Sequence, residues 1–110
     1  MQVQINTDRN IEGHEALAAQ VSGVVESALS RFSDSITRVE VHLSDENSDK
    51  KGGNDNMRCV MEARLEGRQP IAVTQQAATL DEAVDGAADK LHRLIESHLE
   101  RLRDQRRSQD

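Results

Sequence analysis

Near the N-terminus Val3 and Ile5 alternate with Gln2 and Gln4, the period of a strand with one buried face, and the polar run Asn6-Thr7-Asp8-Arg9-Asn10 closes it. From His14 to Phe32 the apolar residues Leu17, Val21, Val24, Val25, Ala28, Leu29 and Phe32 recur at steps of three and four. That spacing predicts an amphipathic helix ending near Ser33-Asp34-Ser35. Strict alternation follows, with Val39, Val41 and Leu43 against Arg38, Glu40, His42 and Ser44. The stretch from Ser44 to Asn56, with Gly52-Gly53, has no apolar period and predicts a mobile polar loop. Alternation resumes with Cys59, Met61, Ala63 and Leu65 against Arg58, Glu62 and Arg64. The turn signal Glu66-Gly67-Arg68 then leads into Ile71 and Val73, a hairpin whose second strand starts around Gln69 and accommodates Pro70 best at a sheet edge.

Thr79-Leu80-Asp81-Glu82 has the form of a capping box and opens a second helix. At about 100° per residue, Leu80, Val84, Ala87, Ala88, Leu91, Leu94, Ile95, Leu99 and Leu102 share one sector, which predicts roughly seven turns lying along the sheet. The order is β-α-β-β-β-α, an α+β fold with a four-stranded mixed sheet and both helices on one face. The other face, bearing Gln2, Gln4, Arg38, Glu40, His42, Arg58, Glu62, Arg64 and Thr74, is expected to meet solvent. Residues 1–105 form a single domain in this reading. The last residues, Arg106-Arg107-Ser108-Gln109-Asp110, lose the apolar pattern and are expected to fray.

A chain of 110 residues has room for one modest core. No apolar run approaches a membrane span, and Met1-Gln2-Val3-Gln4 does not begin a secretory leader, so a cytoplasmic protein is expected. Fourteen basic against twenty acidic residues give −6, the wrong sign for binding nucleic acid through an overall field, so any such binding needs a local patch. With Phe32 the only aromatic among Phe, Trp and Tyr, recognition by stacking bases on aromatic platforms is excluded. The single cysteine, Cys59, offers neither an internal disulfide nor a thiolate zinc site and reads as a buried strand residue.

No nucleophile with a base, no carboxylate pair in a cleft and no phosphate loop is visible, so no enzyme activity, cofactor or small-molecule substrate is expected. His14, His42, His92 and His98 form no metal motif. His92 and His98 are six apart on one helix, and His98, inside the apolar sector, reads as a partly buried, satisfied histidine. The charges of the second helix separate into stripes. Lys90, Arg93 and Arg101, with Ser97 between them, line one flank, and Asp85, Asp89, Glu96 and Glu100 line the next. A basic flank can hold phosphates; equally, Asp89 with Arg93 and Glu100 with Arg103 can pair as an ordinary solvated face. The outward sector of the first helix carries only small residues, Ala16, Ala19, Gly23, Ser27 and Ser30. That is either a contact face for a second copy or a partner protein, or plain tolerance of small side chains.

The run Asp81-Glu82-Ala83-Val84-Asp85-Gly86-Ala87-Ala88-Asp89-Lys90-Leu91-His92-Arg93-Leu94 resembles the AIDxxxDKLxRQL signature of the ribosome hibernation-promoting factors and ribosome-associated inhibitors, the sigma-54 modulation family. The start, Met1-Gln2-Val3-Gln4-Ile5, and the order of elements look like that family too. The resemblance implies a fold similar to double-stranded RNA-binding domains. It also implies a bacterial stress-response protein that sits in the small-subunit channel used by messenger and transfer RNA and stops translation. By resemblance Lys90 and Arg93 match the family's basic positions, Arg101 and Arg103 its later lysine-rich turns, and Asp85 its helix acid. The chain departs from the pattern in having only Arg31 on the first helix and in adding Glu96 and Glu100 to the second, and the expectation is a short form without the family's C-terminal dimerisation domain, or a divergent relative. The expectation is a translation inhibitor holding ribosomal RNA of the small subunit through Lys90, Arg93, Arg101, Arg103, Arg106 and Arg107. The alternative is a divergent member acting as a protein-interaction or regulatory module, dimeric or partnered through the first helix.

Overall fold

The computed structural model describes residues 1–8, 11, 13–46 and 57–108, with side chains as far as Gln105. Strand β1 (Gln2–Thr7) runs parallel to β2 (Ile36–Asp45), joined by helix α1 (His14–Leu29) and a single 3₁₀ turn, Ser30–Phe32. Strand β3 (Met57–Leu65) pairs antiparallel with β2, and β4 (Ile71–Ala77) pairs antiparallel with β3. The sheet order is β1-β2-β3-β4, and α2 (Leu80–Ser108) follows the edge strand. The α+β fold expected from the sequence is the fold observed.

One face of the sheet is the core floor. Val39, Val41 and Leu43 stand beside Ala63, Met61 and Cys59 in register, all buried. Val21, Val25 and Leu29 of α1 close over them, and so do Ala87, Leu91 and Ile95 of α2. Cys59 is fully buried, and loss of solvation pushes its thiol up to about 12, so it behaves as a small apolar residue.

Ile36 is buried as well, although it lies three residues before Val39 and so falls out of phase with it. The register slips between Ile36 and Arg38, and this irregularity lets both side chains reach the helices. The strands also run longer than their alternation suggests, to Asp45 and from Met57. Of the predicted mobile loop, Ser44 and Asp45 belong to β2 and Glu46 to a turn, and 47–56 lies outside the described residues.

Two ends depart from the pattern. The first helix stops at Leu29, and Phe32 is buried by the tighter turn that follows, its ring 5.0 Å from that of His92. Strand β4 begins at Ile71, just after Pro70, as suits a residue with no amide hydrogen, and Gly67 makes the hairpin turn at φ +69 with Arg68 N–H donating to the Leu65 carbonyl. The outer face of the sheet carries charge in self-compensating form. Arg38 lies opposite Arg64, and Glu40 lies between them, 3.3 and 3.8 Å from their guanidiniums, while Glu62 holds Arg64 at 3.4 Å. Arg58 pairs with Glu46 at 3.1 Å.

Candidate nucleic-acid interface

Helix α2 starts where the sequence places it. The Glu82 amide donates to the Thr79 hydroxyl at 3.1 Å, and that hydroxyl donates to the Glu82 carboxylate at 3.3 Å. This is a variant of the reciprocal box, because the carboxylate takes the hydroxyl proton. Asp81 and Glu82 in the first turn also suit the positive end of the helix dipole. Alanines 83, 87 and 88 let the helix settle close to β3 and β4, and at Gly86 a Cβ would stand 2.7 Å from Gln75 Cγ of β4.

At 1.5 Å per residue the 29-residue helix is about 43 Å long, whereas no strand exceeds ten residues, about 33 Å. Its last turns therefore extend past the sheet. The helical backbone continues to Ser108, three residues beyond the domain limit read from the apolar pattern. Arginine and glutamine are good helix formers, and losing the apolar stripe removes packing without breaking the backbone ladder.

The predicted binding residues divide by rotation about this axis. Lys90, Arg93 and Arg101 are exposed on the β4 side. The Lys90 ammonium donates to the Thr74 carbonyl of β4 at 3.0 Å, and Arg93 meets Asp89 at 3.0 Å. Arg101 and Arg103 are exposed and have no carboxylate partner among the described residues, so the pairing of Glu100 with Arg103 is not formed. Arg103 also points a different way: at about 100° per residue it falls in line with Asp85 and Glu96, off the basic flank. The side chains of Arg106 and Arg107 lie outside the described residues, although their backbone is helical.

Two readings of this helix are corrected. Leu94 is 43% exposed instead of joining the core. It lies on the same flank as Lys90, where β4 is the last strand and no further element covers it. His98 is half-buried as expected but is not satisfied: its Nε2 is shielded from water and has no hydrogen-bond partner. Arg38 Nε on the sheet is in the same state.

One cation escaped the sequence reading. Gly67, Arg68 and Gln69 of the β3–β4 turn line a recess of about 540 Å³ with His98, one helical turn before Arg101. Arg68 is exposed and, among the described residues, free of any ion pair. The other flank of α2 faces α1. There Arg31 donates to Glu96 at 2.6 Å, Gln20 to Asp81 at 3.2 Å, and His92 Nδ1 to the Ala28 carbonyl at 2.9 Å, which places the proton on Nδ1. The small residues Ala16, Ala19, Gly23, Ser27 and Ser30 are all exposed on α1. Among the described residues no cluster of three histidine, cysteine or carboxylate side chains is placed to hold a metal ion, and no helix is long and apolar enough to cross a membrane.

A family model described as sigma 54 modulation protein / S30EA ribosomal protein matches residues 4–103. The chain belongs to this family. The match runs from β1 to the overhanging turns of α2, so it takes in Lys90, Arg93, Arg101 and Arg103 together with the acids beside them. Among solved structures the chain is similar to the N-terminal domain of Protein Y from Thermus thermophilus, with a TM-score of 0.70 and 23% identity over 89% of this chain and 99% of that one. It is also similar to a ribosomal subunit interface protein from Coxiella burnetii, with a TM-score of 0.64 and 16% identity over 89% of this chain and 97% of that one. At such identities the likeness is one of fold. No curated protein matches the chain in sequence.

Proposed function

We propose that this family member is a ribosome-associated translation inhibitor of the hibernation type, and that it binds the small subunit through the ribosomal RNA backbone. The observation that carries this reading is the β4-side flank of α2. From Ala83 through Gly86, Lys90 and Arg93 to Ser97 it holds no carboxylate, and it continues into Arg101 near the end of the sheet. Exposed cations on a rigid rod, one turn apart from Lys90 to Arg93 and two turns apart from Arg93 to Arg101, suit recognition of structured RNA by shape and phosphate. Arg103, Arg106 and Arg107 add basic residues to the last turns, and Arg68 adds a cation near His98 and Leu102. Membership in a family described as an S30EA ribosomal protein, and the fold shared with a subunit interface protein, support the same reading. Its place of work is then the cytoplasm.

Co-sedimentation with ribosomal subunits through sucrose, at low and at physiological salt, tests the proposal. The wild type is expected in the small-subunit fraction. Lys90→Glu/Arg93→Glu is expected to bind about tenfold or more weakly, since a hydrogen bond to a charged group contributes roughly 1.5–3 kcal/mol. Both side chains are exposed, but Lys90 donates to the Thr74 carbonyl and Arg93 pairs with Asp89, so a matched urea titration separates lost binding from lost fold. Absence of the wild type from that fraction at both salts overturns the reading. It would select the alternative, a protein-interaction module that has left the ribosome, which the acidic strip beside the basic flank favours.

A further inference from the structure

Between α1 and α2 the surface opens into a trough of about 670 Å³, where Gly23, Val24 and Ser27 face Asp85, Ala88 and His92. It narrows to a recess of about 240 Å³ that ends at Leu17, Leu80 and Asp81. From Asp81 to His92 the helix rises about 16 Å, or three turns, so the trough matches the length of one face of a short helix. Its floor is apolar, formed by Val24, Ala28 and Ala88.

The two walls are unlike each other. On α2, Asp81, Asp85 and Asp89 stand one above another at steps of four, and Glu96 and Glu100 continue the line. Among the described residues only Arg31, at Glu96, and Arg93, at Asp89, form ion pairs with this strip. On α1 the wall is low, and a Cβ built at Gly23 would meet nothing within 4 Å. Packing therefore does not require glycine there, and inside a helix glycine is less favourable than alanine. Its effect is to keep the trough open to a close-approaching backbone.

We propose that this trough docks a basic amphipathic helix of a partner protein, with apolar side chains on Val24, Ala28 and Ala88 and lysines or arginines toward Asp81, Asp85 and Asp89. Charge complementarity selects this occupant. An RNA strand would meet a line of carboxylates, and α1 of a second copy carries no lysine or arginine to face them. The proposal does not rest on the ribosome reading.

A synthetic fourteen-residue helical peptide, with leucines on one face and lysines on the other, is the probe, titrated at physiological salt into the isotope-labelled chain. Saturable amide shifts are expected at Gly23, Ser27, Asp85 and His92, and none with the glutamate counterpart of the peptide. Gly23→Met fills the trough and Asp85→Lys reverses its wall, and each is expected to weaken binding tenfold or more. Asp85 is exposed, so its variant carries the test even if Gly23→Met folds poorly. Absence of saturable shifts, shifts that gather on the β4 side or the open sheet face, or variants that bind as tightly as the wild type would overturn the proposal.

Discussion

The two flanks of α2 are built from one amphipathic sequence and come out with opposite chemistry. On the β4 side Lys90 reaches the Thr74 carbonyl of the edge strand, and Arg93 and Arg101 are exposed beyond it. On the α1 side Asp85 and Asp89 border a trough and Glu96 and Glu100 continue their line, with Asp81 tied to α1 by Gln20 and Glu96 to the following 3₁₀ turn by Arg31. The flanks touch where Arg93 meets Asp89 at 3.0 Å. Lys90 and Arg101, however, lie about 140° around a helix about 10–12 Å across from Asp85 and Glu96, a separation near the Debye length of ~8–10 Å at physiological salt, so these charges are partly screened from each other there. The net charge of −6 therefore averages over surfaces that a partner meets separately. The acidic flank should weaken RNA binding chiefly at low salt, where screening fades.

What holds both flanks in place is the stripe between them, and that is where the largest effect is expected. Leu91 is fully buried in the shared core. Leu91→Ala should cost about 2–5 kcal/mol, as truncation of a core leucine does, and be seen as a lower denaturation midpoint. Ribosome binding and peptide binding should then fall together as the folded population falls. If only one were lost, the flanks would not share a single cooperative unit.

A smaller effect separates the flanks, because the same substitution should have opposite signs on them. Gly23→Ala gains helix propensity and meets open space, so it should stabilise by roughly 0.5–1 kcal/mol. Gly86→Ala gains the same propensity but places its Cβ 2.7 Å from Gln75 Cγ and 2.9 Å from its Cδ. Gln75 is anchored by its amide, which donates to the Gln76 carbonyl at 2.9 Å, so it must move and give up that bond. Gly86→Ala should therefore be neutral to destabilising, about 1 kcal/mol or more below Gly23→Ala in paired urea titrations. Equal gains at the two sites would mean that β4 and α2 approach less closely than described.

How much of this was legible follows from the kind of information each feature needs. The hairpin and the basic flank follow local periods, two residues and one helical turn, and both could be read directly from the chain. Ile36 broke the period because the register slips beside it, and the alternation first becomes regular at Arg38. Leu94 was misread because rotation about an axis says which residues share a sector but not where the sheet beneath it ends. Arg103 joins Arg101 only through the family resemblance, and their directions differ by about 160° at 100° per residue. The trough and the Arg31–Glu96 contact join positions far apart in the chain, and no local pattern carries that information.

That contact gives the smallest expected effect and the sharpest test of independence. Arg31 is 2.6 Å from Glu96, but the two side chains are 65% and 35% exposed, so a double-mutant cycle should find a coupling of only about 0.2–1 kcal/mol, falling with added salt. Arg31 also lies 5.5 Å above the Phe32 ring, so Arg31→Met should cost slightly more than Glu96→Gln, which keeps that ring contact. Its second consequence is electrostatic. With the guanidinium gone, Glu96 joins Asp85 as an uncompensated carboxylate beside the trough, and the lysine peptide should bind more tightly to Arg31→Met. Sedimentation with small subunits should stay as it was, because Arg31 belongs to the α1 side. If both readouts move together, the acidic flank is acting on RNA binding across the helix, and the separation of the two surfaces fails.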